Sequence, residues 1–219
     1  MFKRSILFFL LGLFSMSICS QNFDFRITKT ISGLETYSFS RVVSKGDEFL
    51  CLAIPAGLIG YGLIVSDNNT LYKGISTGLA IGTSAAIVYG GKNIIKRQRP
   101  FVSYPDNIFN HAGKKTGGYS FPSGHTSTAF ALATALTLSY PKWYVVAPSY
   151  LLATSVTYSR INLGVHYLSD VFAGAALGAG FAYLAHISAN YLQKRYGKTE
   201  TTTMSVLPVG CCLVAVIPF

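Results

Sequence analysis

The chain has 219 residues, of which 50% are hydrophobic and only 12% are charged. A typical soluble domain carries about 25% charged residues, and a disordered chain is poorer in apolar residues, so the composition excludes both classes. Because a membrane-spanning helix needs about 20 residues, the length allows about six spans and leaves no room for a large extra domain. The composition therefore predicts one polytopic membrane domain.

Basic residues outnumber acidic ones by 18 to 8, which gives a formal net charge of +10. Such an excess suits nucleic acid, an anionic lipid surface or a phosphorylated substrate. The basic residues lie in loops between apolar blocks rather than along one extended face, which argues against nucleic acid. The cysteines at 19, 51, 211 and 212 have neither the spacing of a disulfide framework nor that of a zinc site.

Residues 1–20 have the pattern of a signal peptide or of an uncleaved N-terminal anchor. Lys3 and Arg4 precede a short apolar core at 6–14, and small residues stand before Gln21. The next stretch, 21–47, mixes polar and apolar residues. We expect it to form an exported interfacial segment or a short amphipathic helix.

Five apolar blocks follow, each close to the length of a membrane span. They occupy residues 49–65, 75–90, 126–140, 143–158 and 171–192. Small residues such as Gly174 and Gly178 are typical of helices that pack closely inside a membrane bundle. We predict an all-α polytopic membrane bundle of five to six spans at 48–195. The tail at 196–219 contains Pro208 and Gly210, and it is open to a strand, an interfacial segment or a further span.

The charges of the loops predict the orientation of the bundle. Lys73, Lys142 and the basic residues after the fifth block fit the cytoplasmic side. The loops at 92–121 and 159–170 then share the opposite, external face. The first of these loops carries six basic residues, including Lys114 and Lys115. This departs from the positive-inside rule, by which basic residues concentrate in cytoplasmic loops. We therefore expect it to have a function.

The external loops carry three clusters of polar residues. In the first, Lys92 and Arg99 are seven residues apart and Pro100 follows. Seven residues correspond to about two turns of a helix, so both side chains are expected to point to one place. Taken alone, a basic cluster of this kind also fits contact with lipid head groups.

The second cluster, Pro122-Ser123-Gly124-His125, opens the third apolar block. Ser123 is a natural helix N-cap, and Gly124 lets an anion approach the backbone N–H groups at the positive end of the helix. His125 then stands where it could donate a proton to a bound anion. A purely structural hydrogen-bonding role is the alternative for this histidine.

The third cluster runs from Ser159 to Asp170. His166 and Asp170 are four residues apart, so on a helix the carboxylate can accept a hydrogen bond from one imidazole nitrogen. Arg160 adds planar N–H donors suited to phosphate oxygens. Alone, this cluster fits a capping aspartate beside an interfacial histidine. Together the three clusters supply two histidines, three cations and a helix N-terminus, a set suited to phosphoryl transfer without a metal.

These residues resemble the three-part signature of the type 2 phosphatidic acid phosphatase superfamily. That signature is a lysine, six residues and Arg-Pro, then Pro-Ser-Gly-His, then Ser-Arg, five residues, a histidine, three residues and an aspartate. All eleven positions are present: Lys92, Arg99, Pro100, Pro122, Ser123, Gly124, His125, Ser159, Arg160, His166 and Asp170. The resemblance extends from about residue 49 to residue 192.

The resemblance implies a helical core like that of the vanadium haloperoxidases and a phosphatase reaction through a phosphohistidine. His166 would be the nucleophile, oriented by Asp170, and His125 would protonate the leaving oxygen and later assist the attack of water. The phosphoryl oxygens would be held by Lys92, Arg99, Ser123, Gly124 and Arg160. The resemblance implies no metal or other cofactor.

The expected substrate is a phosphorylated lipid of the bacterial envelope. Lipid A and undecaprenyl diphosphate are favoured, with phosphatidylglycerol phosphate and phosphatidic acid also open. We expect a protein of the bacterial inner membrane whose active site faces the periplasm, with the loop at 105–118 covering the site. Two other functions stay open: a vanadate-dependent oxidase that uses the same anion site, and a non-enzymatic lipid-binding or transport protein.

Overall fold

The structure is a computed structural model that describes residues 21–113 and 118–196. Three parts of the sequence interpretation lie outside the described residues. They are the signal peptide or anchor at 1–20, the two lysines at 114 and 115, and the tail that follows residue 196.

Seven helices make up the described part of the chain. They are α1 (Gln21–Ser32), α2 (Tyr37–Val65), α3 (Asn68–Ile95), the one-turn α4 (Pro100–Ser103), α5 (Gly124–Ser139), α6 (Trp143–Asn162) and α7 (Leu168–Tyr196). No strand occurs within 21–113 or 118–196. The predicted all-α fold is therefore confirmed for these residues.

The five apolar blocks largely coincide with the five long helices. α2 begins at Tyr37, so the boundary predicted between residues 47 and 48 falls inside a helix. The rest of the N-terminal segment forms α1, whose buried side is polar and consists of Asp24, Thr28 and Ser32. These residues follow one another at helical spacing, so one face of α1 packs against the protein.

Two helices within the described ranges are long and apolar enough to cross a membrane, Tyr37–Val65 and Leu168–Tyr191. α5 has only 16 residues, which is short for a hydrocarbon core about 30 Å thick. Length and hydropathy therefore do not confirm the predicted number of five to six spans. Large apolar side chains nevertheless point outward from the bundle; Ile64 on α2 is 85% exposed, and Phe172 on α7 is also exposed.

α5 lies at the centre of the bundle and contacts α2, α3, α6 and α7. Its contact with α7 depends on two glycines. A Cβ atom at Gly178 would lie 2.1 Å from the carbonyl oxygen of Ser127, and one at Gly174 would lie 2.6 Å from that of Ser123. The small residues therefore set the distance between these helices, as the sequence predicts.

Gly178→Ala is expected to destabilise the bundle, because the added methyl group would overlap the carbonyl oxygen of Ser127. Overpacking of this kind typically costs about 1–3 kcal/mol, which would lower the unfolding temperature by several degrees. Thermal unfolding in detergent measures the effect. Gly180→Ala is the matched control, since a Cβ atom at Gly180 meets nothing within 4 Å. Equal unfolding temperatures for the two variants would show that Gly178 does not set this contact.

Candidate active site

The three polar clusters meet at one end of the bundle. Arg99 stands just before α4, Ser123 just before α5, and His166 in the turn between α6 and α7. Hydrogen bonds join the three segments. Arg99 Nη1 donates to the carbonyl oxygen of Val165 at 3.1 Å, and the backbone N–H of Ser123 donates to the carbonyl oxygen of Asp170 at 3.0 Å. The structure thus places residues 92–113, 118–121 and 159–170 at the same end of the molecule.

A glycine turn shapes the segment that carries His166. Gly164 has a φ of +71°, a backbone conformation that favours glycine. A Cβ atom at this position would also lie 2.3 Å from the carbonyl oxygen of Phe109. The loop before residue 113 therefore packs directly on this turn, and the backbone N–H of His111 donates to the carbonyl oxygen of Leu163 at 3.1 Å.

His166 and Asp170 are neighbours, as predicted, but they do not share a helix. α7 begins at Leu168, so His166 lies in the preceding turn and Asp170 in the first helical turn. Nδ1 of His166 is 3.5 Å from Oδ2 of Asp170 and 3.4 Å from Oγ of Ser120. Both distances are long for hydrogen bonds. Because both contacts involve Nδ1, the opposite nitrogen, Nε2, is the one available to a substrate.

The carboxylate of Asp170 is fully buried and both of its oxygens accept hydrogen bonds. Oδ1 accepts from Nη1 of Arg97 at 2.7 Å. Oδ2 accepts from the backbone N–H of Tyr167 at 2.9 Å and from the hydroxyl of Ser120. These donors fix the orientation of the carboxylate beside the imidazole of His166.

Burial lowers the pKa of His166 to about 3. Loss of hydration is the main cause, because the charged imidazolium is disfavoured away from water. The negative charge of Asp170 opposes the shift, whereas the positive charges of Arg160 and Lys92 add to it. His166 is therefore neutral at pH 7, with an electron pair available on the nitrogen that does not carry the proton.

Lys92 and Arg99 converge, although not by the helical spacing that the sequence suggested. α3 ends at Ile95, and Arg99 lies in the loop that follows, so the expectation of two consecutive helical turns is wrong. The two side chains nevertheless donate to neighbouring carbonyl groups of one loop segment, at 118–119. Nζ of Lys92 donates to the carbonyl oxygen of Tyr119 at 2.7 Å, and Nε of Arg99 donates to that of Gly118 at 3.2 Å.

Arg160 is buried in the last turn of α6, and its guanidinium includes an unpartnered donor. Its Nη1 donates to Oγ of Ser44 on α2 at 2.5 Å. Its Nε is buried and has no hydrogen-bond partner among the described residues. An unsatisfied buried donor on a charged group is costly. This atom therefore favours a ligand with oxygen acceptors, such as phosphate.

Ser123 is the N-cap of α5, as predicted, but its hydroxyl does not cap the helix. The hydroxyl instead lies 3.1 Å from Oγ1 of Thr126. Gly124 follows, and a Cβ atom there would meet only Cγ1 of Val88, at 3.8 Å. Protein packing therefore does not demand a glycine at 124, which is consistent with the predicted role of Gly124 in letting an anion approach the first backbone N–H groups of α5.

His125 has a carboxylate partner that sequence reasoning missed. Its Nε2 lies 2.9 Å from Oε1 of Glu48, a residue of α2 that is 77 positions away in the chain. The sequence interpretation assigned a carboxylate to His166 alone, whereas the structure gives one to both His125 and His166. No spacing rule connects positions so far apart, so only the packing of α2 against α5 reveals the pair.

Two further residues at the site, Arg97 and Ser120, were not singled out by sequence. Arg97 was visible only as one of several basic residues in its loop, and Ser120 was not considered. Their shared feature is contact with Asp170. A buried carboxylate needs donors, so a search for polar residues near the motif could have suggested them.

The all-helical fold and the site define a class of protein: a helical bundle that holds a neutral histidine, a buried aspartate and three cations together at one end. The model of the PAP2 superfamily matches residues 73–194, more than half of the chain. The chain therefore belongs to the PAP2 superfamily, and the sequence resemblance is confirmed.

Two curated relatives and one solved structure show similarity to the chain. The lipid A 4'-phosphatase of Bacteroides thetaiotaomicron is 33% identical over 107 residues, which cover 47% of this chain and only about half, 47%, of that relative. The undecaprenyl-diphosphatase of Sulfolobus acidocaldarius is 32% identical over 71% of this chain and 69% of its own length. The transmembrane PAP2 type phosphatidylglycerolphosphate phosphatase of Bacillus subtilis has the same fold, with a TM-score of 0.66, 23% identity and coverage of 89% and 96% of the two chains.

The lowered pKa of His166 predicts how stability depends on pH. The unfolded chain takes up a proton on this histidine below about pH 6.5, whereas the folded chain does so only near pH 3. The contribution of His166 to the free energy of unfolding is thus fully present above pH 6.5. It is lost as the pH falls towards 3, by at most about 1.4 kcal/mol per pH unit. Thermal unfolding in detergent at a series of pH values should show a smaller decline on acidification in His166→Asn than in the wild type. Identical pH profiles would contradict the assignment of a depressed pKa.

Proposed function

We propose that the chain is a membrane phosphatase that removes phosphate from a phosphorylated lipid, without a metal ion and through a phosphohistidine on His166. One observation carries the proposal. A buried, neutral histidine lies within electrostatic range of Lys92 and of Arg160, whose Nε lacks a partner among the described residues. The candidate nucleophile and an unpartnered donor for an anion therefore belong to the same cluster of charged groups.

In the first step, Nε2 of His166 attacks phosphorus and the bond to the leaving oxygen breaks. Asp170 faces the N–H at Nδ1, so it orients the ring and stabilises the positive charge that develops on it. The distance of 3.5 Å shortens when the imidazole becomes charged, as catalytic hydrogen bonds commonly tighten in the complex. His125 enters this step protonated and donates its proton to the leaving oxygen. Burial lowers the pKa of His125 to about 4, whereas Glu48 and the negative charge of the bound phosphoryl group favour the protonated ring.

The phosphoryl oxygens lie among Lys92, Arg99, Ser123, Gly124 and Arg160. The cations neutralise the charge that these oxygens carry in the transition state, and the backbone N–H groups at the start of α5 add to this. Because the arrangement is built before the substrate binds, little reorganisation is needed during the reaction. The positive charge comes from side chains, which is why we propose a reaction that needs no metal.

In the second step, water attacks the phosphohistidine and releases phosphate. His125, now neutral, accepts a proton from the water and returns to its starting state. Its hydrogen bond to Glu48 holds the ring in place for both roles. Glu48 would therefore orient His125 as Asp170 orients His166.

The substrate we propose is lipid A or undecaprenyl diphosphate. Support comes from the names of the two curated relatives, a lipid A 4'-phosphatase and an undecaprenyl-diphosphatase. We further propose an inner-membrane protein with five to six spans and a periplasmic site. Its support is the outward-facing apolar surface of α2 and α7, together with the placement of the basic residues in the loops.

Phosphate release from lipid A or undecaprenyl diphosphate in mixed micelles should persist in EDTA, because side chains supply the positive charge. His166→Ala should reduce turnover to background, since no phosphoenzyme can form. His125→Ala should lose about 10²–10⁴-fold in turnover. Brief reaction with radiolabelled substrate should trap phosphohistidine in His125→Ala and none in His166→Ala.

His186→Ala is the matched control for these variants. His186 lies on α7, about 27 Å along the helix from Leu168, where it pairs with Asn190. Its replacement should leave turnover unchanged. Loss of activity in EDTA that Mg²⁺ restores would overturn the metal-independent mechanism, and labelled phosphohistidine in His166→Ala would overturn the assigned nucleophile.

A periplasmic site predicts which loops are accessible from outside the cell membrane. α2 and α3 form a hairpin whose connection, near Asn69, lies at the opposite end from the site, whereas Asp106 lies at the site end. In a background without the four native cysteines, Asp106→Cys should react with an impermeant thiol reagent in spheroplasts, and Asn69→Cys should react only after permeabilisation. The reverse pattern would place the site in the cytoplasm.

A further inference from the structure

Arg97 bridges two buried carboxylates, one of which belongs to the site and the other to the N-terminal helix. Its Nη1 donates to Oδ1 of Asp170 at 2.7 Å, and its Nη2 donates to Oδ2 of Asp24 at 3.0 Å. Asp24 is 2% exposed and Asp170 is 0% exposed. One guanidinium therefore bridges and compensates two buried carboxylates at once.

Asp24 also holds the first turn of α7, which carries Asp170. Its Oδ1 accepts from the backbone N–H of Ser169 at 3.1 Å, and its Oδ2 accepts from the hydroxyl of Ser169 at 2.5 Å. A carboxylate at the N-terminus of a helix is favourable, since the first backbone N–H groups lack partners within the helix. Here the capping carboxylate comes from another helix, α1.

The guanidinium of Arg97 is restrained from a third direction. Its central carbon lies 4.1 Å from the centre of the Tyr167 ring, a distance typical of cation–π contact. The backbone N–H of Tyr167 in turn donates to Oδ2 of Asp170. Arg97 is thus stacked on one residue of the His166 turn and hydrogen-bonded to the first helical turn that follows it.

We propose that Asp24 and Arg97 are positioning residues for the pair formed by His166 and Asp170, an inference that rests on the proposed function. Asp24 fixes Arg97, and Arg97 holds Oδ1 of Asp170, so that Oδ2 faces Nδ1 of His166. Asp24 lies outside residues 73–194, the part that matches the family model. Helix α1 is therefore part of the working enzyme and not only an interfacial segment.

The position of this network predicts a selective kinetic defect. Neither Asp24 nor Arg97 is among the groups that would hold the phosphoryl oxygens, so substrate binding should be preserved. Without Arg97 the carboxylate of Asp170 can rotate, and the imidazole loses its orientation in the attacking step. In metal sites, residues that orient a ligand through a hydrogen bond contribute about 10- to 100-fold to activity, and we expect a factor of this order for the residues that orient Asp170.

Arg97→Gln and Asp24→Asn are each expected to lower kcat about 10- to 100-fold while KM changes less than about threefold. The inhibition constant of inorganic phosphate should also change less than about threefold. Arg26→Gln and Glu35→Gln are matched controls, because both residues are exposed and lie in or just after α1. These controls should keep wild-type kinetics.

A double-mutant comparison separates positioning from general stabilisation. If Arg97 acts through Asp170, adding Arg97→Gln to Asp170→Asn should lower kcat less than about twofold further. Arg97→Lys retains the charge but not the planar pair of donors, so it should recover part of the lost kcat. The unfolding temperature and the gel-filtration profile show whether Arg97→Gln is folded. If it is not, Arg97→Lys takes its place in the kinetic comparison.

Three results would overturn the positioning role. The first is a wild-type kcat in folded Arg97→Gln and Asp24→Asn. The second is a full further loss of kcat when Arg97→Gln is added to Asp170→Asn. The third is a rise in KM and in the phosphate inhibition constant that matches the fall in kcat. Trapping of phosphohistidine in the wild type distinguishes the two proposals. A wild type that forms none refutes the proposed function and this inference together, whereas a normal wild type with unaffected variants refutes this inference alone.

Discussion

The carboxylate of Asp170 is the point on which the arrangement of the site depends. It is fully buried, it accepts hydrogen bonds from Arg97, Ser120 and a backbone N–H, and it faces His166. A buried charge is tolerated only when it is paired and hydrogen-bonded, so each donor must be held where the carboxylate needs it. The backbone carbonyl of the same residue receives the N–H of Ser123, which also ties the start of α5 to this place.

A second constraint is the packing of small residues below the site. Ser123 and His125 lie at the N-terminal end of α5, and Asp170 lies in the first turn of α7. These two helix ends approach each other because glycines on α7 let the backbones come close, as the short distances at Gly174 and Gly178 show. The apolar bundle thus fixes the separation of polar groups that do not themselves belong to it.

The local part of the site could be predicted from the sequence, but the geometric reasons given for two pairs were wrong. Lys92 and Arg99 were expected on one helix, and so were His166 and Asp170. In both cases a helix end falls between the two residues, at Ile95 and at Leu168, and a turn brings the side chains together instead. The residue types were informative because they match the signature of the PAP2 superfamily, whereas helix ends depend on packing that short-range patterns do not contain.

The sequence by itself determined the all-helical class, the apolar blocks, the family and the two histidines, because each of these depends on residue type or on residues close together in the chain. Only the tertiary structure decided which distant groups meet. Glu48 reaches His125 and Asp24 reaches Arg97 across 77 and 73 positions, respectively. Contacts at such separations arise when helices pack, and the free energy of that packing is spread over the whole bundle, so no local pattern records them.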